Sequence, residues 1–293
     1  MNPATSAMIA VILVNYEQSN ATIRCLRALQ QQRFQDFKVW VIDNASPSQD
    51  VKTLEEYCAR HAKIQFLAQA HNVGFAGGCN VGIRAALQDP ECQAVWLLNN
   101  DAIPNEQALE LLVQAMPSFP QAGLLGSTLY HAGSQQIQAL GGRIRPCCGW
   151  VENVVDAKLI ANVDYGVGAS LLVKRQVLDR VGLLPEEYFL YFEDTDYALR
   201  AKRAGFSTQV ILASRVEHEL SLSMTSRVKL YYTARNQLAF FGRWYPWALP
   251  LAFAHLCYAR ILPRLFRWNE MAVILAGIVD FCFGRRGRSQ RRL

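Results

Sequence analysis

Three short apolar runs early in the chain each stop abruptly on polar residues. Met8-Ile-Ala-Val-Ile-Leu-Val14 ends on Asn15-Tyr16, Phe37-Lys-Val-Trp-Val-Ile42 on Asp43-Asn44-Ala45-Ser46, and Ala94-Val-Trp-Leu-Leu98 on Asn99-Asn100-Asp101. Runs this short and continuous read as strands buried on both faces, the mark of a parallel sheet. Between them, helical spacing covers Ser19 to Gln32, with Ile23, Leu26 and Leu29 inward, and Gln49 to His61, before a short strand from Lys63 to Leu67. Strand, helix, strand in that order makes right-handed crossover units, so the expected class is α/β with a mostly parallel central sheet flanked by helices. Ligands of such sheets bind beyond the carboxyl ends of the strands, where Asn15, Asp43, Asn44, Asn100 and Asp101 fall. The same residues also make good turns and caps, and each alone is open to that reading.

A glycine-rich stretch follows, His71-Asn-Val-Gly-Phe-Ala-Gly-Gly-Cys-Asn-Val-Gly82, leading into a helix through Leu87. Glycines at a strand-to-helix passage allow backbone to approach a ligand, with helix N–H groups turned to an anion. The spacing is neither a dinucleotide fingerprint nor a Walker loop, which disfavours a plain NAD or ATP site. Further on, Tyr188-Phe-Leu-Tyr-Phe192 runs into Glu193-Asp194-Thr195-Asp196 and then a helical pattern ending on Gly205. Asp194 can be an ordinary helix cap there, or an acid held rigidly at a cleft.

Hard oxygen ligands at Asn99-Asn100-Asp101 suit Mg²⁺ or Mn²⁺, which engage one or two carboxylates together with phosphate oxygens. Eight cysteines without a Cys-x-x-Cys pair read as reduced, cytosolic and mostly core-filling. The N-terminus, MNPATSAMIAVILVNY, lacks a basic leader and does not read as a signal peptide. Hydrophobic residues make up 51% of the chain against 18% charged, and the excess concentrates after residue 237. There Pro246, Pro250, Arg260, Pro263, Arg264 and Arg267 interrupt the apolar stretch, so nothing reaches the roughly twenty residues of a spanning helix. Trp247 to Leu262 and Met271 to Phe283 are therefore expected as helices lying on a membrane surface or packed on the rest of the chain. Arg285, Arg286, Arg288, Arg291 and Arg292 would then face anionic lipid rather than nucleic acid.

Taken together, five segments resemble family 2 glycosyltransferases of the GT-A fold, and within it bacterial rhamnosyltransferase-like members. They are Val14-Asn15-Tyr16; Val41-Ile-Asp43-Asn44-Ala-Ser46; Asn72-x-Gly74-Phe75-Ala-Gly77-Gly78-x-Asn80-x-Gly82; Leu97-Leu-Asn99-Asn100-Asp101; and Phe192-Glu193-Asp194-x-Asp196 with Lys202 and Gly205 behind it. The resemblance implies a GT-A domain over 1–237 and a helical, membrane-associated extension over 238–293. It implies inverting transfer of a sugar, rhamnose among the candidates, from a nucleotide-diphosphate donor to a hydroxyl of a lipid-linked or growing surface glycan. Asp43 would hold the donor base, and Asn15, Asn44, Gly74, Phe75, Gly77, Asn80, Asn100 and Arg235 would line the nucleotide sugar. Asp101 matches the last acid of the metal motif, with Mg²⁺ or Mn²⁺ as the ion and His218 as a further ligand, and Asp194 matches the catalytic base. Departures from the pattern are Asn99 at the first acidic position, Leu184-Pro-Glu-Glu187 where relatives carry Phe-Asp-Glu, and Glu219-Leu220 where many carry Gly-Ser. The implied location is the cytoplasmic face of the inner membrane. Transfer directly to polyprenyl phosphate, or nucleotide-sugar binding without turnover, are the competing readings.

Overall fold

The computed structural model describes residues 8–219 and 226–291, so Leu220, Arg292 and the leading MNPATSA lie outside the described residues. Strands β1 (Met8–Asn15), β2 (Phe37–Asp43), β3 (Ile64–Ala68) and β4 (Cys92–Leu98) alternate with helices α1 (Ser19–Gln30), α2 (Ser48–Ala59) and α3 (Gly74–Ala86). After them come β5 (Ala102–Pro104), α4 (Ala108–Ser118), β6 (Ala122–His131), β7 (Ile137–Ala139) and a hairpin of β8 (Gly142–Arg145) and β9 (Trp150–Asn153). Strand β10 (Ser170–Lys174), α5 (Arg175–Val181), α6 (Glu193–Arg203) and β11 (Ser207–His218) complete the sheet region. Helices α7 (Ser226–Trp244), α8 (Leu249–Leu256) and α9 (Trp268–Cys282) close the chain.

The strands lie in the order β3-β2-β1-β4-β10-β6-β11-β5, with β7 on β6. The pairs β2–β3, β1–β2, β1–β4 and β6–β11 are parallel, while β10 runs against both neighbours and β5 against β11. This mixed, mostly parallel sheet with helices on both faces is the GT-A fold. Side chains alternate across it: Ile9, Val11, Leu13, Val39 and Val41 pack with α1, α2 and α4. Ala10, Ile12, Ile42, Val95 and Leu97 face the opposite cluster with α3, α6 and the C-terminal helices. The register Asn15↔Asp43 brings two polar strand ends level, as the parallel reading requires.

Two local expectations give way. The glycine-rich stretch is not a loop leading into a helix; the helix begins at Gly74. A Cβ on Gly78 would come within 2.8 Å of Val14, and one on Gly82 within 2.6 Å of Ile42 and 2.8 Å of Ile12. These glycines therefore let α3 lie close on β1 and β2, a packing role that outweighs the cost of about 1 kcal/mol for glycine inside a helix. Asp194 is not the cap of α6 either. The helix starts at Glu193 behind Phe192, whose φ is +75°, and no side chain caps it. Gly205, with φ +90°, follows its C-terminal end. Four of the eight cysteines, Cys25, Cys58, Cys79 and Cys92, fill the core, while Cys147, Cys148 and Cys282 are exposed.

Candidate active site

The polar strand ends and the segment Phe189–Tyr191 border a cleft of about 270 Å³. Its lining includes Val14 at the end of β1 and Tyr16 after it, Asn44 after β2, Asn72, Gly74 and Phe75 at the start of α3, Asn99 to Asp101 after β4, and His218. A larger depression of about 510 Å³ by the β8–β9 hairpin, walled by Arg143, Arg145, Asp164 and Lys202, draws on none of these strand ends.

Asn15 and Asp43 do not reach the cleft surface, being 0% and 1% exposed. The Asn15 amide donates to Asp43 Oδ1 at 2.8 Å and Asp50 Oδ2 at 3.1 Å, while its Oδ1 accepts from Thr22 Oγ1 at 2.8 Å. The other Asp43 oxygen accepts the Ser46 N–H at 3.0 Å. The pair thus knots the ends of β1 and β2 to the first turns of α1 and α2 beneath the cleft. Asn44 does line the cleft, and its side chain holds the entry to α3 by donating to the Gly74 carbonyl and accepting from the Val73 N–H.

Three expected ligands of the nucleotide sugar lie elsewhere. Asn80 is buried and bonded to the Leu184 backbone and Glu186, tying α3 to the segment before α6. Gly77 packs against Val73 and does not line the cleft. Arg235 is 1% exposed and donates to Asn236 Oδ1 and to the carbonyls of Gly287 and Tyr188. All three act through the packing of the wall, not at its surface.

Asp101 and His218, far apart in sequence, meet because β11 pairs with β5 in the register His218↔Ala102. His218 Nε2 stands 3.3 Å from Asp101 Oδ1. Asn99 Nδ2 lies 3.0 Å from the same ring nitrogen, and Gln138 Oε1 is 2.8 Å from Nδ1. An Asn99 amide that donates to Nε2 leaves the ring proton on Nδ1, where Gln138 accepts it. Nε2, whose lone pair accepts the Asn99 amide, faces the buried Asp101 Oδ1, which has no hydrogen-bond donor. Such a pair fits a divalent cation that would take the place of the Asn99 amide on Nε2, with Gln138 fixing the imidazole through Nδ1. Among the described residues no group of three or more His, Cys, Asp or Glu side chains comes together, so phosphate oxygens and water would complete the shell.

Asp194 stands at the start of α6, outside the residues that line the cleft. Its Oδ2 accepts the Gly168 N–H at 2.9 Å, and its Oδ1 accepts the Thr195 N–H at 2.6 Å and Oγ1 at 3.1 Å. A Cβ on Gly168 would lie 3.4 Å from Asp194 Oδ2 and 3.7 Å from the ring of Phe75, so Gly168 stands between the carboxylate and a cleft-lining residue. Burial raises its pKa, and the three hydrogen bonds pull it back toward ionisation. Asp196 has another task. It is fully buried and accepts from Tyr188 Oη, Trp244 Nε1 and Arg200 Nε, anchoring α6 to α7.

The strap before α6 was not recognisable as such from its aromatic run. Phe189, Tyr191 and Phe192 all have positive φ, of 65°, 67° and 75°. Non-glycine residues in that region cost about 1–3 kcal/mol each and persist only where surroundings impose them. Here Asn236 Nδ2 donates to the carbonyls of Tyr188, Leu190 and Tyr191, and the Phe75 N–H donates to Phe189 O at 2.8 Å. Gly74, at φ +81°, fits under it: a Cβ there would sit 2.3 Å from Phe189 O. Tyr16 and Asn72, which stand in two of the five resembling segments, also line the cleft, as does Lys229, which carried no signal in the sequence.

The likenesses to known proteins agree with this geometry. A hexosyltransferase of low-salt glycan biosynthesis from Haloferax volcanii is 23% identical over 235 residues, covering 78% of this chain and 74% of its own length. An N-acetylglucosaminyl-diphospho-decaprenol L-rhamnosyltransferase of Mycobacterium tuberculosis is 23% identical over 235 residues, 72% of this chain and 76% of its own. Among solved structures, a Pyrobaculum calidifontis mannosyltransferase in complex with GDP-Man and Mn²⁺ superimposes with a TM-score of 0.64 at 17% identity, over 94% of this chain and 87% of that one. Residues 10–168, more than half the chain and spanning the strand ends that build the cleft, match glycosyl transferase family 2, and the chain belongs to that family.

Proposed function

We propose that this glycosyltransferase inverts the anomeric centre as it moves a sugar, rhamnose first among the candidates, from a nucleotide diphosphate to a hydroxyl of a lipid-linked or growing surface glycan. The observation that carries this reading is the Asp194 carboxylate, held by Gly168 and Thr195 with Gly168 between it and the cleft-lining ring of Phe75. From there it takes the proton of the acceptor hydroxyl while that oxygen attacks the anomeric carbon and the bond to the departing diphosphate breaks. Asn44, Asn72 and Asn100 line the side where the nucleotide would sit, and Asp101 with His218 would hold Mg²⁺ or Mn²⁺ against the diphosphate. When bound, the ion supplies positive charge to the leaving group. Rhamnose and a polyprenyl-diphosphate acceptor are supported by the name of the mycobacterial relative, and metal use by the Mn²⁺ in the Pyrobaculum complex.

The C-terminal helices are proposed to rest on the cytoplasmic face of the inner membrane, which suits a lipid-borne acceptor. Tyr258, Phe266, Trp268 and Phe283 are 75%, 96%, 70% and 74% exposed, a concentration of large apolar surface that soluble faces rarely carry. No helix among the described residues is long and apolar enough to cross a membrane.

The deciding measurement is release of nucleoside diphosphate by purified protein given a panel of nucleotide sugars and a lipid-diphosphate acceptor. Asp194→Asn is expected to keep its fold and donor binding and to lose turnover by a hundredfold or more, the usual worth of a positioned base. Undiminished turnover in that variant would move the base to another residue.

A further inference from the structure

The depression of about 510 Å³ beside the β8–β9 hairpin has an unbalanced lining. Arg143, Arg145 and Lys202 face one carboxylate, Asp164. Arg145 is held at 2.7 Å by Glu152, which lies outside the lining. Asp164 is partly occupied, its Oδ2 accepting the Ile144 N–H at 2.9 Å and its Oδ1 standing 3.8 Å from Lys202 Nζ. The Lys202 side chain is 67% exposed, and Arg143 makes no ion pair among the described residues. Cations gathered in one hollow without matching carboxylates suit an anion with several charged oxygens.

Two connections fix where this depression stands. The first leads to the proposed base. Val163 and Asp164 line the depression, and four residues on from Asp164 the Gly168 N–H donates to Asp194 Oδ2. Lys202 stands on α6 eight residues after Asp194, about 12 Å along the helix at its usual rise. The second connection leads to an apolar surface. Cys147 and Cys148 line the depression, and beside them Gly149 packs so closely on α8 that a Cβ there would sit 2.2 Å from the Ala252 nitrogen. Gln237 Nε2 donates to Gly149 O at 2.7 Å, and the Trp150 ring lies 5.3 Å from that of His255. Around this contact Trp247, Leu251 and Phe253 are exposed. The cationic depression is therefore joined both to the proposed base and to the helix that carries exposed apolar side chains.

We infer that Arg143, Arg145 and Lys202 bind the diphosphate of a lipid-linked acceptor, so that its sugar reaches toward Asp194 and its lipid lies along α8. The inference deepens the proposed function and rests on its lipid-linked acceptor. The spacing along α6 has room for a sugar ring and the diphosphate attached to it. An arginine offers phosphate oxygens a forked pair of N–H donors, and a lysine a point charge. Glu152 fixes the Arg145 guanidinium in advance, so less ordering is needed when the ligand arrives.

The test is isothermal titration of the full chain with geranyl diphosphate, a soluble isoprenoid diphosphate, and separately with dTDP, UDP and GDP, at constant Mg²⁺. Arg143→Ala and Lys202→Ala are each expected to weaken geranyl diphosphate binding about tenfold, the order of one charge-assisted contact, and to leave nucleoside diphosphate binding unchanged. Geranyl diphosphate should also slow maleimide labelling of Cys147 and Cys148 while Cys282, exposed but outside the lining, reacts at its own rate. Wild-type affinity in both variants overturns the site, and so does a wild-type chain that binds no geranyl diphosphate or gains no protection of Cys147 and Cys148. Displacement of geranyl diphosphate by a nucleoside diphosphate overturns it as well, because the ligand would then occupy the donor cleft. A loss confined to mixed phosphatidylcholine and phosphatidylglycerol vesicles, with geranyl diphosphate binding intact, overturns it in favour of a phospholipid headgroup. Each of these outcomes leaves the donor reaction standing. A chain that binds geranyl diphosphate as expected, yet releases no nucleoside diphosphate from any nucleotide sugar, keeps the anion site and overturns the proposed function.

Discussion

Glu193, beside the proposed base, is a residue whose chemistry the fold displaces. It is 6% exposed, its Oε2 has no hydrogen-bond partner, and burial followed by the charge of Asp194 pushes its carboxyl up to about 8. In the unfolded chain the same group ionises near its ordinary value of about 4.3. The folded state therefore keeps a proton that the unfolded state has released, and the associated stability is present below about pH 4 and lost as pH rises through 8. Asp194, raised by burial as well, acts in the same direction. Urea denaturation at pH 6, 7, 8 and 9 should show stability falling by roughly 1 kcal/mol per unit up to pH 8, and Glu193→Gln should flatten most of that slope. Equal slopes in the two proteins would mean that Glu193 is already ionised at neutral pH. Asp101 makes a second prediction at its own position. Mn²⁺ together with the bound nucleoside diphosphate should raise the melting temperature of the wild type, and Asp101→Ala should remove the Mn²⁺ increment while keeping the nucleotide one. A Mn²⁺ increment that survives Asp101→Ala would take the cation site away from β4 and β11.

Among the elements, the strap Tyr188–Phe192 is held by a neighbour, not by its own preferences. Removing the Asn236 amide leaves the Leu190 and Tyr191 carbonyls short of a donor, Tyr188 O keeping Arg235, and frees a segment with three positive-φ aromatic residues. Asn236→Ala is expected to lower unfolding free energy by about 2–3 kcal/mol and to weaken nucleotide binding, because Phe189 to Tyr191 are a wall of the cleft. A wild-type denaturation midpoint would show that the strap holds itself. This element also marks where sequence reading stops. Buried parallel strands announce themselves as unbroken apolar runs, so β1, β2 and β4 and their polar ends could be read directly, and the place of Asp101 with them. Backbone of unusual handedness in aromatic residues leaves no such trace, because the donor that imposes it, Asn236, comes from another helix. The glycines of α3 mislead for a related reason: local propensity argues for a loop, while the closeness of Val14, Ile12 and Ile42 is a tertiary fact. Asn80 and Arg235 carry the family pattern but serve the packing of this wall, a distinction that only their partners Leu184, Glu186 and Tyr188 reveal.

Across the whole molecule, the C-terminal helices have two faces with opposite fates. Inward, Val273, Ile274 and Ile278 of α9 and Ala252 and Leu256 of α8 join one buried cluster with Leu238, Phe240 and Phe241 of α7 and with Ala10 and Ile12 of the sheet. Gly277 lets α9 approach until a Cβ there would lie 2.7 Å from the Tyr231 carbonyl. Helix α7 runs unbroken past residue 238, where the composition changes, so the apolar excess is partly structural core. Outward, Trp247, Leu251, Phe253, Tyr258, Leu262, Phe266 and Trp268 remain exposed, with Arg260, Arg264 and Arg267 among them. Interior packing accounts for the first set and leaves the second exposed among the described residues. Two of the tail arginines first expected at lipid, Arg285 and Arg291, are occupied by Asp280, so any membrane contact falls chiefly on the aromatic face. Phe266→Ser with Trp268→Ser should therefore reduce co-sedimentation with vesicles of mixed neutral and anionic lipid several-fold, with the melting temperature and nucleotide affinity unchanged, since neither side chain is in the core. Arg285→Ala should do the reverse, lowering the melting temperature with little effect on sedimentation. Equal vesicle binding by the double variant and the wild type would leave that face to a partner protein.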